Sequence, residues 1–197
     1  MIHRLRLGGI AAVAVLWTTL PVAMLRTGLG VVDDRPLSYL GTDPRGIVLF
    51  RVGLLVTAVA FSAFAVAVAR GLARPAGFLA LFLVGQVGQV VVALVSIDGP
   101  SHAVHTTAGI VLGLSLPLLM WRFAAGQPAG PWRKMAYRLL GLEVAACAAG
   151  VALSMAGAAV VAEVLPATGF HLWVLLVGLR WPAPPASSPR RDRRRPA

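Results

Sequence analysis

The sequence predicts an all-α integral membrane protein, a bundle of six transmembrane helices with both ends of the chain on the cytoplasmic side. Three observations carry that prediction. Apolar residues fill 58% of the 197 positions, mean hydropathy is +0.81 and only 13% of residues are charged, where a soluble domain carries about a quarter. The apolar residues gather in long uninterrupted runs. Basic residues alternate from one side to the other between those runs.

A span needs about 20 mostly apolar residues to cross a hydrocarbon core of about 30 Å. The first run is 7–25. A cleaved signal peptide is its rival reading, with Arg4 and Arg6 as the basic region and Leu7 to Leu20 as the apolar one. The small-residue cleavage site is poor, since Pro21-Val22-Ala23 runs on into further apolar residues, so a first helix is the better reading. The second run, 47–69, carries Arg51 one turn in, where it can snorkel outward or pair across the bundle. The third, 76–97, holds Gly85-Gln86-Val87-Gly88-Gln89. Glutamines three apart in an apolar helix read as interhelical hydrogen bonding, and the glycines as close packing.

The fourth run is 103–121, with Ser115 and Pro117 suggesting a kink. The fifth, 139–161, contains the single cysteine, Cys147, and Glu143 near its inner end. Glu143 is expected to be an interfacial charge paired with Arg138 and the loop arginines. The sixth, 166–181, is the shortest, about 24 Å if fully helical, and would have to tilt little or thin the bilayer. Residues 1–181 thus form one transmembrane domain. The proline- and arginine-rich segment at 182–197 is expected to be a disordered cytoplasmic tail. Strands are not expected, because the runs are too long and lack two-residue alternation.

Orientation follows from the loops. With the N-terminus inside, only Arg26, Arg35, Arg45 and Arg51 of the 18 basic residues fall outside. Acidic residues show the reverse bias, with Asp33, Asp34, Asp43, Asp98 and Glu163 outside. Trp121, Trp132 and Trp181 each neighbour an arginine at the predicted inner interface, as anchors at the headgroup level do. The net charge of +11 is therefore a topology and tail signal. No aromatic and basic surface suited to reading nucleic acid is present.

Ionisable groups inside spans are costly and for that reason informative. Arg51, Asp98, His102, His105, Glu163 and His171 all map near the outer ends of spans. His102 and His105 are three apart and share a helix face if the helix has begun by then. This outer-face cluster reads either as a site for acid/base chemistry on a lipid headgroup, with Asp98, His105 and Glu163 as the catalytic candidates, or as polar residues that cap helices and meet water. The ligand set is too sparse for a metal. A haem held between His105 and His171 has nothing beyond similar depth in its favour. Gln86 and Gln89 form a second polar level in mid-membrane. Phosphate-binding loops, Cys-x-x-Cys, Gly-x-Ser-x-Gly and His-Glu-x-x-His are all absent from the sequence.

Several short motifs resemble a known family. Pro36-Leu-Ser-Tyr-Leu-Gly41, Leu49-Phe-Arg-Val-Gly-Leu-Leu55, Val95-Ser-Ile-Asp98, His105 opening span four, and Glu163 to Trp173 are similar to the bacterial membrane family catalogued as domain of unknown function 998. The Val104-His105 pair is more distantly similar to the FRAG/DRAM/SFK group of six-span proteins. The resemblance runs from about Leu7 to Trp181. Ser96-Ile97 stand where that family has Phe-Pro before the aspartate, and Val164 where it has an arginine beside the glutamate. The resemblance implies six helices in a cell membrane and no assigned activity.

The residues favour a non-catalytic inner-membrane component that binds lipid or a protein partner without a cofactor, its basic tail meeting anionic headgroups. The alternatives are a membrane enzyme acting on lipid or isoprenoid headgroups at the outer face, and a small transporter with Gln86, Gln89 and Arg51 along its path. The enzyme needs Asp98, His105 and Glu163 around one cavity. The transporter needs a cavity that reaches Gln86.

Overall fold

A computed structural model describes residues 2–180, with side chains from residue 5 onward. Trp181 and the tail at 182–197 lie outside the described residues. Six helices follow one another: α1 (Ile2–Thr27), α2 (Ile47–Ala69), α3 (Pro75–Leu94), α4 (His102–Ala125), α5 (Pro131–Met155) and α6 (Ala159–Arg180). No strand occurs among the described residues. Each helix is long and apolar enough to cross a membrane, which makes this an integral multi-pass membrane protein.

The second span has the predicted bounds, while others shift for local reasons. α3 stops at Leu94, earlier than expected, because Val95 turns extended (φ −94, ψ 125) and begins the connection to α4. α5 starts at Pro131, where a proline's missing N–H costs nothing at the first helical position. Its first turns were too basic to register as part of an apolar run. It ends at Met155, earlier than the predicted 161. Gly157 takes φ 82 there, Gly157 N–H donates to the Ser154 carbonyl at 3.1 Å, and Ala158 N–H donates to the Leu153 carbonyl at 3.0 Å. This crossed pair of bonds is the glycine-terminated helix end, and glycine reaches positive φ without penalty.

α6 in turn starts at Ala159, so the short, strained sixth span expected from the sequence is instead 22 residues long. Pro166 lies inside it, and the missing N–H leaves the Ala162 carbonyl without its helical partner. Gly150 of α5 lies against that carbonyl so closely that a Cβ there would sit 2.6 Å from the oxygen.

Consecutive helices form three hairpins (α1 with α2, α3 with α4, α5 with α6), and further contacts between the hairpins include α1 against α6. Small residues bring the hairpin partners close, as expected for helices that associate in lipid without hydrophobic drive. In the second hairpin a Cβ at Gly88 would lie 2.8 Å from the Ala108 carbonyl, and one at Gly85 would strike Ser115 Oγ. Gln89 adds a bond between hairpins, its Nε2 donating to the Leu54 carbonyl of α2 at 2.9 Å. The glutamine expected to tie helices together does so.

The two ends of the bundle differ. Toward the end where residues 2 and 180 lie (the terminal end), the helices share a continuous core built around Phe64, Phe78, Phe123, Trp173 and Val177. Toward the end carrying the connection 28–46 (the loop end), a smaller cluster of Ala23, Leu29, Leu37, Leu40, Phe50 and Val160 forms a roof. Between roof and core the bundle is hollow.

Two glycine substitutions are expected to move stability in opposite directions. Gly88→Ala places a methyl against backbone and should lower the melting temperature by an amount corresponding to about 1–3 kcal/mol. Gly141→Ala on α5, with nothing within 4 Å of the new atom, should be neutral or stabilising by up to about 1 kcal/mol. Thermal unfolding in one detergent, with both variants beside the parent, checks the pair.

Candidate functional site

The connection 28–46 is folded over the bundle mouth. Pro36 begins a 3-10 turn, Leu37–Gly41, whose Leu37 and Leu40 face inward and are buried. The first amides of such a turn have no partner within it. Glu163, in the second turn of α6, supplies one: its Oε2 accepts the Leu37 N–H at 3.0 Å, with the Ser38 amide beside it. A carboxylate on the last helix thus pins the first loop. The Asp33 carbonyl adds a long contact from Val160 N–H at 3.4 Å.

Two short-range ion pairs stiffen the same loop. Arg35 binds Asp33 at 2.7 Å and lies over the Tyr39 ring, and Arg45 binds Asp43 at 2.9 Å while reaching the Thr27 carbonyl. The Arg35 side chain, followed by its backbone amide, holds the Asp33 carboxyl below the ordinary aspartate range. Arg45 does the same for Asp43.

Beneath the loop lie two adjoining cavities. The first is a chamber of about 180 Å³ inside the bundle, walled by apolar side chains such as Leu16, Phe50, Leu54 and Phe170, with Ser38, Gln89, Glu163 and His171 as its polar members. The second is a cleft of about 520 Å³ along α4 and α6, lined by His105, Thr106, Gly109, Gly113, Glu163 and Pro166 among others. Glu163 and Ser38 belong to both. Glu163 is exposed, since the cleft reaches it. Gly109 and Gly113 have nothing within 4 Å where a side chain would be, so the α4 wall of the cleft is smooth and open.

The histidines are set in opposite senses. His105 is 5% exposed, and its Nδ1 lies 2.6 Å from the Val95 carbonyl. A carbonyl only accepts, so Nδ1 carries the proton and Nε2 of the neutral ring is an acceptor. His171 Nδ1 receives the Trp17 indole N–H at 3.0 Å, and its ring stacks on Phe61. Indole only donates, so His171 keeps its proton on Nε2. Below His171, stacked Phe170 and Trp173, with Phe64 and Phe123 edge-on to Trp173, close the chamber toward the terminal end.

The outer-face cluster expected from the sequence is therefore divided. Glu163 shares the cleft with His105 and the chamber with His171. Asp98 is exposed on the α3–α4 connection and lines neither cavity. His102, first residue of α4, is also exposed, its ring turned back to the Ile97 carbonyl at 2.9 Å. Arg51 makes no ion pair with Asp98 or Glu163, and its Nε has no hydrogen-bond partner. His105 lines the cleft and His171 the chamber. No group of three or more possible metal ligands occurs among the described residues. Gln89 reaches the chamber, but Gln86, a turn nearer the packed half, does not line it.

Two expectations need correction. Glu143 is not an interfacial charge with an arginine partner. It is fully buried, Oε2 has no hydrogen-bond partner, and Cys147 Sγ lies 3.7 Å from Oε1. Because α5 begins at Pro131, Glu143 sits about 18 Å along the helix, and Gly169 of α6 leaves the space its carboxyl fills. Trp132 is not simply a headgroup anchor either, since it packs against the core with its indole N–H buried. The contributions of Trp17, Ser38 and Ser154 went unread in the sequence, because nothing in their spacing marks the face on which they lie.

The family described as "Protein of unknown function (DUF998)" matches residues 8–183, and the chain belongs to it. No curated protein and no solved structure matches the chain.

Removing the Glu163 carboxyl should free the loop. In Glu163→Ala, amide hydrogen exchange across residues 37–41 is expected to accelerate, with a loss of about 1–3 kcal/mol in stability. Unchanged exchange there would mean the loop is held by Leu37 and Leu40 alone. The loop ion pairs fix a pH dependence. Asp33 and Asp43 have depressed folded-state values, so their contribution is complete above the unfolded aspartate value of about 3.9 and is lost as pH falls through the folded values. The share of loop protection that the two ion pairs contribute, read as the difference between the parent and an Asp33→Asn/Asp43→Asn variant and corrected for intrinsic exchange, should stay level from about pH 7 to pH 4 and fall only below that.

Proposed function

We propose that this member of the family is a lipid-binding component of a bacterial inner membrane. In this reading an amphiphile from the bilayer lodges in the loop-end cavities, its polar end near Glu163 and its chain along the cleft between α4 and α6. The observation that carries the reading is the continuity of the two cavities at Glu163, beside an α4 wall left bare at Gly109 and Gly113. From His105 to Leu116 the cleft follows α4 for about 17 Å, long enough for much of an acyl chain. Pockets for small apolar ligands combine such walls with a few convergent polar groups.

The loop end is assigned to the outer face. Its arginines are few, and Arg35 and Arg45 are tied to Asp33 and Asp43, whereas Arg70, Arg74, Arg122, Arg133, Lys134, Arg138 and Arg180 lie toward the terminal end. The positive-inside rule then puts the terminal end in the cytoplasm. There the tail arginines Arg190, Arg191, Arg193, Arg194 and Arg195 would meet anionic headgroups, at about 1 kcal/mol each near the surface. A hydrolytic or transfer enzyme is the weaker reading, because Asp98 lies away from the cleft that His105 and Glu163 share. Transport is weaker still, because the chamber ends above the packed aromatic half.

Lipid extraction and mass spectrometry of the purified protein test the reading. The parent is expected to retain about one amphiphile per chain through exhaustive detergent exchange. Gly109→Trp, which fills the cleft, should lose it while keeping the parent's melting temperature within a few degrees. Equal retention by both proteins, or none by the parent, would sink the idea.

A further inference from the structure

The charge of the cavity narrows what its occupant can be. No arginine or lysine lines the chamber or the cleft. At this end of the bundle Arg35 and Arg45 are engaged by Asp33 and Asp43, and Arg26 and Arg51 line neither cavity. The polar groups that remain are rich in acceptors. Glu163 can take about four donors as a carboxylate, and the loop amides of Leu37 and Ser38 use no more than part of that capacity. His105, with Nδ1 committed to Val95, offers Nε2 as a lone pair. The Thr106 and Ser154 hydroxyls, on the same cleft, can accept as well as donate.

A phosphate headgroup placed here would bring a second negative charge beside Glu163, with no cation to offset it in a medium of low dielectric. An ammonium has three donors and the opposite charge.

Resting on the lipid-binding reading above, we infer that the cleft selects a single-chain amphiphile with a cationic amine headgroup, held by the Glu163 carboxylate and the His105 Nε2. The headgroup sits about 6 Å along α6 from its first residue, at the depth where the roof ends. The chain lies against Gly109 and Gly113. Alcohols of the same length fit the acceptors but lack the charge, and so rank below amines. Alkyl phosphates rank last.

The test uses the full-length protein in neutral phosphatidylcholine nanodiscs, with hexadecylamine, hexadecanol and hexadecyl phosphate competing against a fluorescent fatty-chain probe. Gly109→Trp nanodiscs correct for partition into the bilayer alone. The amine is expected to displace the probe roughly tenfold or more better than the phosphate, with the alcohol between them. In Glu163→Gln the amine should fall to within about threefold of the alcohol, while the alcohol's own affinity holds. Phosphate binding as well as or better than amine overturns the charge assignment and leaves the lipid-binding reading standing. An amine preference that survives unchanged in a folded Glu163→Gln overturns the role of the carboxylate. Failure of the probe and all three compounds to bind the parent overturns the reading on which the inference rests. The comparison among ligands on the parent protein needs no variant, so it holds even if Glu163→Gln misfolds.

Discussion

A turn of helix laid across the mouth of an apolar bundle must find acceptors for its first amides, because neither lipid nor a buried wall supplies them. Pro36 has no N–H and so presents no donor at the entry to the turn. Leu37 and Ser38 do present donors, and Glu163 is the acceptor that meets them. Much else at the loop end follows from that contact. It holds Leu37 and Leu40 down into the roof, and it keeps the roof above α6 instead of letting it collapse into the hollow. It also fixes the carboxylate at the junction of chamber and cleft. The same side chain is bonded to the loop and lines both cavities.

The division of the bundle into a solid half and a hollow half has a plain physical origin. Toward the terminal end, large aromatic rings from α2, α4 and α6 meet edge to face or stacked around Trp173, and Phe78 and Phe82 of α3 join the same core. Toward the loop end, Leu, Val and Ala replace the rings on α3 and α4. His171 stands at the boundary. Its ring stacks on Phe61 of the packed half, and its Nδ1 is tied to Trp17 of α1, which links α1 to α6.

The six spans, their order and the all-helical class were legible in the sequence because apolar length and loop punctuation are local properties. The helix ends were less so. Gly157 is an ordinary glycine in the sequence, and only its positive φ makes it a terminator that shifts α5 and α6 together. The predicted sixth span begins at Pro166, yet the helix runs through it, and Gly150 of α5 lies against the Ala162 carbonyl that the proline leaves without its helical partner. The polar groups divide in the same way. That Glu163, His105 and His171 lie near one membrane level could be read from span positions. That Asp98 stays outside could not, since the extended Val95 backbone directs the chain away before the aspartate is reached. Glu143 was misplaced for a related reason: depth was counted from the apolar run, not from a helix that begins in the basic stretch before it.

A cleft that opens toward lipid does not stay empty in a bilayer. Lipid tails are as apolar as its walls, so filling it gains no hydrophobic free energy, while leaving it vacant forfeits dispersion contacts along its length. Occupancy by some hydrocarbon is therefore the ordinary condition of such a groove, and the apolar lining by itself selects nothing. Whatever selectivity the site has must arise where the apolar wall gives way to Glu163, His105, Thr106 and Ser154. There a carboxylate and a histidine lone pair would make a wrong headgroup costly, because an unpaired or like-charged headgroup cannot recover the water it lost. In the lipid-binding reading we propose, Gly109 and Gly113 act together with Glu163 and not alone: smooth walls would admit a chain, and the acceptors at its head would decide which chain remains.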